Sequence, residues 1–431
     1  MAETIKLKED QGYQIMGISW PMFLIITIVI LAATYLEILP AGMVGALPIM
    51  MVMGAILNEI GNNLPIVRSY LGGGPIVIIF GSAALATYGL IPESATLIIE
   101  NFMKGESFLD FYIAALITGS ILGMNRKLLI QASIRYLPVI AGGVVASFAL
   151  TGLVGMLMGY GAKEAILYIS LPIMGGGMGA GAVPLSQIFG DSLNVDPGSI
   201  FDKMVPAVAL GNAMAIILAG LLDKLTKGNK KLSGDGKLLV SQEEMAVESE
   251  DEKAIDYKLM GMGLLVATTF FVFGSILSYF FKVHAYAFMI ITVVIVKAFG
   301  LLPEKYELGA TQWFKFMMNN LTLALLIGIG VAYTDLADVI AAISPTYVVL
   351  VGATVIGAII GAGFVGKMLG FYPVEASITG GLCMANMGGT GDVAVLSSAN
   401  RMVLMPFAQI SSRLGGAFMM IIATVLLRFL I

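Results

Sequence analysis

The chain holds one cysteine and one histidine in 431 residues. A single Cys383 excludes an intrachain disulfide framework. A single histidine excludes a histidine-based metal cluster, and His284, between two apolar runs, reads as a solvated surface residue. Charge is scarce too: 12% of residues are Asp, Glu, Lys or Arg, against about 25% in a soluble domain. No nucleophile–base pair, metal-ligand spacing, phosphate-binding loop or nucleic-acid motif is present, so nothing points to an enzyme, a cofactor or a nucleic-acid partner. The N-terminus is polar and the first apolar run, Ile18 to Leu36, is too long for a signal peptide, so no cleaved leader is expected.

What is abundant is apolar: 58% of residues are hydrophobic and 52 are glycine. Apolar runs of membrane-spanning length recur along almost the whole chain. The expected fold is an all-α polytopic membrane protein. Spans are expected near 18–37, 41–60, 73–91, 108–124, 134–159, 201–222, 259–281, 284–303, 316–340, 345–369 and 402–430, about eleven in all. Two further segments, 162–190 and 374–400, are interrupted at their middles by glycines. Asp223 to Lys258 is polar, with "KGNKKLSGDGK" followed by "EEMAVESEDEK", and reads as a solvated cytoplasmic linker.

The interruptions match each other. "GGMGAGAV" (Gly176–Val183) aligns with "GGTGDVAV" (Gly388–Val395), and Pro206 in the next crossing falls opposite Pro406. The expected organisation is therefore residues 1–40 as an extension with the first helix, 41–222 as one repeat, 223–258 as linker and 259–431 as a second repeat. Each repeat has an odd number of full crossings, which makes the two inverted in topology. With the N-terminus in the cytoplasm, about three quarters of the 24 Lys and Arg fall on the cytoplasmic side, among them those of Asn125–Arg135, the linker and Lys297–Phe316. The broken segments then enter from opposite faces. From Val374 to Met387 a helix rises about 20 Å, enough to reach the middle of a hydrocarbon core about 30 Å thick.

Unpaired backbone in a bilayer survives only where protein or a watery cavity surrounds it. Two glycine-rich tips inside the membrane should line a site; the bland alternative is close helix packing. The helices that restart after each tip aim N-terminal amides at that site, which favours a carboxylate, and nearby carbonyls suit a small cation. Arg413 in "FAQISSRLGGAFMM" stands about 16 Å into the last helix, too deep to snorkel. Its natural partner is a bound anion, with a structural ion pair to Asp392 as the alternative. Ser411, Ser412 and Thr390 carry hydroxyls suited to a hard cation such as Na⁺, although such serines commonly bond back to their own helix. Asp392 reads first as the N-cap of the restarted helix, and otherwise as a cation ligand or proton carrier. Arg401 reads as a cytoplasmic anchor.

The paired glycine motifs, the "ANMGGTGDVAVL" tip and "AQISSRLGG" together resemble the 2-hydroxycarboxylate transporter family of bacterial secondary carriers, over essentially the whole chain. The resemblance implies re-entrant loops, a homodimer in the bacterial cell membrane, and an elevator-type movement of a substrate-carrying domain. It implies that Gly176, Gly177, Met178, Gly179, Asn386, Met387, Gly388 and Gly389 line the substrate and that Arg413 binds its carboxylate. Thr390 and Ser412 fall at cation sites, with Na⁺ or H⁺ as coupling ion. Citrate-dedicated members carry polar or basic side chains where this chain has Met178 and Met387, which favours a dicarboxylate such as malate over a tricarboxylate. The expected function is cation-coupled symport of malate or a related 2-hydroxycarboxylate. The alternatives are an exchanger of malate or citrate for lactate and, from another class, the membrane subunit of a sodium-pumping decarboxylase.

Overall fold

The computed structural model describes residues 13–430 apart from 66, 68–73, 125, 127–135, 241–253 and 282–283. All of the loop Asn125–Arg135 except Arg126 therefore lies outside the described residues, as does the acidic part of the linker. Apart from a two-strand hairpin at Gln14–Ile15 and Ile18–Ser19 and one isolated bridge, the regular structure described is helical.

Helices α1 (Trp20–Tyr35), α2 (Met43–Asn63), α3 (Gly74–Thr87), α4 (Glu93–Glu100) and α5 (Phe108–Leu122) are followed by α6 (Leu137–Leu157). The first broken segment runs inward over 162–173 and returns through α7 (Val183–Leu193) into α8 (Pro197–Thr226). Past the linker come α9 (Tyr257–Phe281), α10 (Ala285–Phe299), α11 (Glu304–Asn320), α12 (Thr322–Tyr333) and α13 (Pro345–Met368). The second broken segment runs over 373–382 and returns through α14 (Gly389–Ser398), and α15 (Gly416–Leu430) closes the chain.

Six stretches among the described residues are long and apolar enough to cross a membrane: α2, α6, α8, α9, α13 and Phe407–Leu427. Counting the pairs bent by 48° before α5 and by 60° between α11 and α12 as one span each gives eight. This is an all-α membrane protein. The expected eleven is not reached on length and composition, because α1, α3 and α10 have only 16, 14 and 15 residues.

Packing divides the helices into two groups. In one, α2 and α3 pack on α12, and α5 packs on α9, α10 and α11. In the other, α6 and α13 run against each other along their length, while α8 supports both return legs. The α6–α13 contact depends on small residues: a Cβ at Gly361 would lie 2.1 Å from the carbonyl oxygen of Gly142. Close backbones let the Ser147 hydroxyl donate to the Thr354 carbonyl at 2.9 Å, the kind of contact that holds helices together where lipid removes the hydrophobic drive.

The stretch Lys297–Phe316, most of which lies between expected spans, is largely helical: α11 lays one face on α5 and α9, and Lys297 is buried with its Nζ 2.7 Å from Glu307. Three local readings are corrected. His284 is mostly covered: Nδ1 accepts from the Tyr286 amide, capping α10, and Nε2 lies 3.2 Å from Asp191. The first part of the linker is docked, with Leu238 accepting from the Tyr372 amide and the Val240 amide donating to Gly370. Arg401 is 5% exposed, its guanidinium held by carboxylates instead of free as a surface anchor.

Candidate functional site

The two glycine tips touch. Gly176 and Gly177 have φ of +81° and +113°, and Gly388 has +70°, backbone states that L side chains rarely adopt. A Cβ on Gly177 would lie 2.7 Å from the Met387 carbonyl carbon, and one on Gly176 would lie 2.4 Å from the Ser412 carbonyl oxygen. The motif thus brings three backbone segments together where side chains would hold them apart. After Gly177 the chain restarts in a wide turn, Met178–Ala182, and after Gly388 it restarts as α14. Another wide turn, Ser411–Gly415, interrupts the last helix where Ser411, Ser412 and Arg413 fall. Such widened turns re-aim side chains and gather at functional sites.

A cavity of about 370 Å³ opens beside the tips, between the two helix groups. One wall is Gly176, Met178, Gly179, Met387, Gly388, Asp392, Gln409, Ser412 and Arg413; the other is largely apolar, from α5, α11 and α12, with Tyr112, Ser120 and Thr322 as its hydroxyls. Tyr112 and Thr322 share a hydrogen bond of 2.7 Å. A pocket of this size, mostly apolar with a few convergent polar groups, is what a small-molecule site requires.

Asp392 anchors the polar side. Its carboxylate accepts from Ser412 Oγ and Asn386 Nδ2, both at 2.9 Å, and the Arg413 charge favours its ionised form. It is not the N-cap expected. Gly388 takes that position and Asp392 sits one turn into α14, where side chains lean back toward the helix start and hence toward Ser412.

The expected site residues separate. Gly176, Met178, Gly179, Met387, Gly388 and Arg413 line the cavity, together with Asp392 and Ser412. Asn386 is buried and spends its amide on the tip itself, donating to Asp392 and accepting from the Gly388 amide at 2.6 Å. Gly177 packs against the other tip. Ser411 turns away from Asp392 and donates to the Tyr136 hydroxyl at 3.0 Å, since adjacent helical residues face about 100° apart. Gly389 and Thr390 head α14, but their surroundings lie outside the described residues.

Sequence reasoning missed Asn212. Fully buried in α8, it accepts from the Met387 amide at 3.1 Å and so holds the second tip from behind. A lone asparagine in the apolar run "VALGNAMAI" was its signal, because polar groups inside a membrane need a partner. Tyr112, Thr322 and Gln409 were also missed.

The 2-hydroxycarboxylate transporter family model matches residues 15–425. A Na⁺–malate symporter of Bacillus subtilis is 42% identical over 421 residues, covering 97% of this chain and 93% of its own. A malate transporter of Lactococcus lactis is 40% identical over 427 residues, 98% of this chain and 99% of its own. A citrate transporter of Leuconostoc mesenteroides is 39% identical over 432 residues, 99% of this chain and 97% of its own.

Proposed function

The chain belongs to the 2-hydroxycarboxylate transporter family and is a transport protein, not an enzyme; from that premise we propose that it carries malate or a related 2-hydroxycarboxylate across the bacterial cell membrane by symport with Na⁺ or H⁺. The observation that carries this reading is the cavity at the two tips, with Arg413 and a carboxylate bonded to Ser412 on one wall. Arg413 takes one substrate carboxylate through its planar fork, assisted by the amides of the tip backbone. Asp392 and Ser412, with Thr390 from the start of α14, hold the coupling cation. Met178 and Met387 line the cavity without adding charge, which suits a substrate with two carboxylates better than one with three. The 42% identity to a Na⁺–malate symporter agrees with that choice of substrate and ion.

The architecture proposed with it has eleven crossings, with α1, α3 and α10 counted as short ones, two inverted repeats, a cytoplasmic N-terminus and a homodimer. The helix group built on α6, α8 and α13 carries the substrate past the group built on α2, α5 and α12, as an elevator. What supports that division is the cavity's position, with tip residues on one wall and α5, α11 and α12 on the other.

The test is uptake of labelled malate by the purified protein in proteoliposomes, under an imposed Na⁺ or proton gradient, with citrate, lactate and succinate as competitors. Arg413→Ala removes two charge-assisted hydrogen bonds at about 1.5 kcal/mol or more each, so uptake efficiency should fall roughly a hundredfold. Gradient-driven uptake that survives in Arg413→Ala would sink the anion site. Counterflow against internal lactate without any cation gradient would identify an exchanger. Transport by the isolated chain would reject a decarboxylase subunit that needs its partners.

A further inference from the structure

Glu375 is a fully buried carboxylate at the foot of the second broken segment, about 12 residues from the tip along the inbound leg. Four donors surround it: the Gly234 amide at 2.9 Å, the Gly236 amide at 3.3 Å, the Ser233 hydroxyl at 3.1 Å and Arg401 Nε at 3.1 Å. Three of the four come from the linker. Arg401, just past the foot of the return leg, spends the rest of its guanidinium on Asp223 at 3.0 Å, Asp235 at 3.3 Å, Ser233 at 2.9 Å and the carbonyls of Ala399 and Asn400. Asn400 in turn donates to Asp223 at 3.1 Å. Backbone bonds extend the seam: the Val374 amide donates to Leu232, and Leu239 faces Phe371 across an antiparallel bridge.

One ion-paired cluster therefore ties four pieces of chain: the end of α8, linker residues 229–240, and both feet of the second broken segment. Asn212 and the other glycine turn hold the tip, and the feet of the two legs need a tie of their own to fix how far each leg is inserted. Fastening both feet to one guanidinium fixes it. The planar fork of arginine makes that possible, because it bonds partners in several directions at once without losing charge.

We infer that residues 229–240 are a strap belonging to the substrate-carrying helix group, and that Glu375 and Arg401 are positioning residues that set the second tip against Arg413 and Asp392. The strap rests on the transport reading above for its consequence, and on the cluster geometry for its existence. Breaking the cluster lets the legs slip, so that Met387, Gly388 and Asp392 leave their places while the rest of the fold stays intact.

Cys383 supplies the test. It is the sole cysteine, lies at the inner end of the inbound leg and is fully buried, so its alkylation reports opening of the tip without any substrate. In purified wild type, N-ethylmaleimide should label Cys383 slowly; in Glu375→Gln and in the milder Arg401→Lys, labelling should be at least tenfold faster. Phe102→Ala, which removes a ring stacked on Phe108 in the other helix group, controls for general destabilisation and should not produce that acceleration at an equal loss of melting temperature. In proteoliposomes the same two variants should raise KM for malate and half-saturating Na⁺ several-fold, with Vmax within about twofold of wild type. Wild-type labelling rates in both variants, or labelling no faster than in Phe102→Ala, would overturn the strap even if malate transport is established. Should wild type carry no malate, accelerated labelling would still establish the strap and the transport reading alone would fall. Asp235→Ala, which removes an exposed member of the cluster, gives an intermediate rate if Glu375→Gln does not fold.

Discussion

Gly177 and Gly179 belong to the same glycine motif, yet alanine should damage the first and be tolerated at the second. A Cβ on Gly177 would lie 2.7 Å from both the carbonyl carbon and the oxygen of Met387, which are backbone atoms that cannot rotate away. Ordinary contact begins near 3.4 Å, so the tips must part by about 0.7 Å. The φ of +113° adds the strain of a region almost reserved for glycine, about 1–3 kcal/mol. Strain and displacement together predict a loss of about 3 kcal/mol in substrate recognition, roughly a hundredfold in uptake efficiency. Gly179 lines the cavity, but a Cβ there meets nothing within 4 Å and its φ is ordinary, so Gly179→Ala should stay within about threefold of wild type. The assay is initial-rate uptake of labelled malate in proteoliposomes at matched protein content, with KM and Vmax resolved. Wild-type kinetics in Gly177→Ala, or equal damage from the two substitutions, would refute the claim that backbone contact between tips builds the site.

The other substitutions follow from single contacts. Asp392→Asn removes the charge that Ser412 and Asn386 bond, and should raise the half-saturating cation concentration at least tenfold; Ser412→Ala removes a neutral oxygen and should raise it about fivefold. Unchanged cation dependence in both would remove Asp392 and Ser412 from the cation site. Met387→Arg places a second guanidinium in the cavity and should improve competition by citrate against labelled malate roughly tenfold, read as a shift in half-inhibition. Asn212→Leu leaves the Met387 amide without its partner at a cost of about 1–3 kcal/mol, so KM for malate should rise between about fivefold and a hundredfold; an unchanged KM would mean that the tip does not depend on α8.

The parts of the site that could be read in the sequence are those that conflict with their surroundings. Glycines in an apolar run and Arg413 deep in a helix are costly in lipid unless they serve something, and that cost is visible in one dimension. Which faces meet is not. Ser411 and Ser412 are equal candidates in sequence, and only the orientation of the last helix sends one to Tyr136 and the other to Asp392. Tyr112 and Thr322 became visible only when α5 and α12 formed the opposite wall. The linker misled for a related reason. Its charges and glycines have the composition of a solvated segment, yet Gly234 and Gly236 expose bare amides that bond Glu375, a use composition does not encode.

The charges on the cavity wall also bear on coupling. Arg413 contributes one positive charge and ionised Asp392 one negative, so the two cancel before substrate arrives. With malate as the proposed substrate, its dianion leaves the loaded site at a net −2. Carrying that through a hydrocarbon core costs roughly 2.5–3.5 kcal/mol per uncompensated charge even on lenient insertion scales, or about 6 kcal/mol, enough to slow the crossing about ten-thousandfold. Two monovalent cations restore neutrality, and a proton carried on Asp392 counts as one of them. We therefore expect two positive charges to cross with each malate dianion: uptake that varies with about the second power of cation concentration and is insensitive to an imposed membrane potential. Helix N-termini at the tips cannot substitute, because their dipoles lower the energy of the bound anion without altering the net charge that moves. A first-power cation dependence, with uptake of the dianion that responds steeply to membrane potential, would show that the loaded site crosses charged and would break the link drawn between Asp392, Arg413 and the coupling ion.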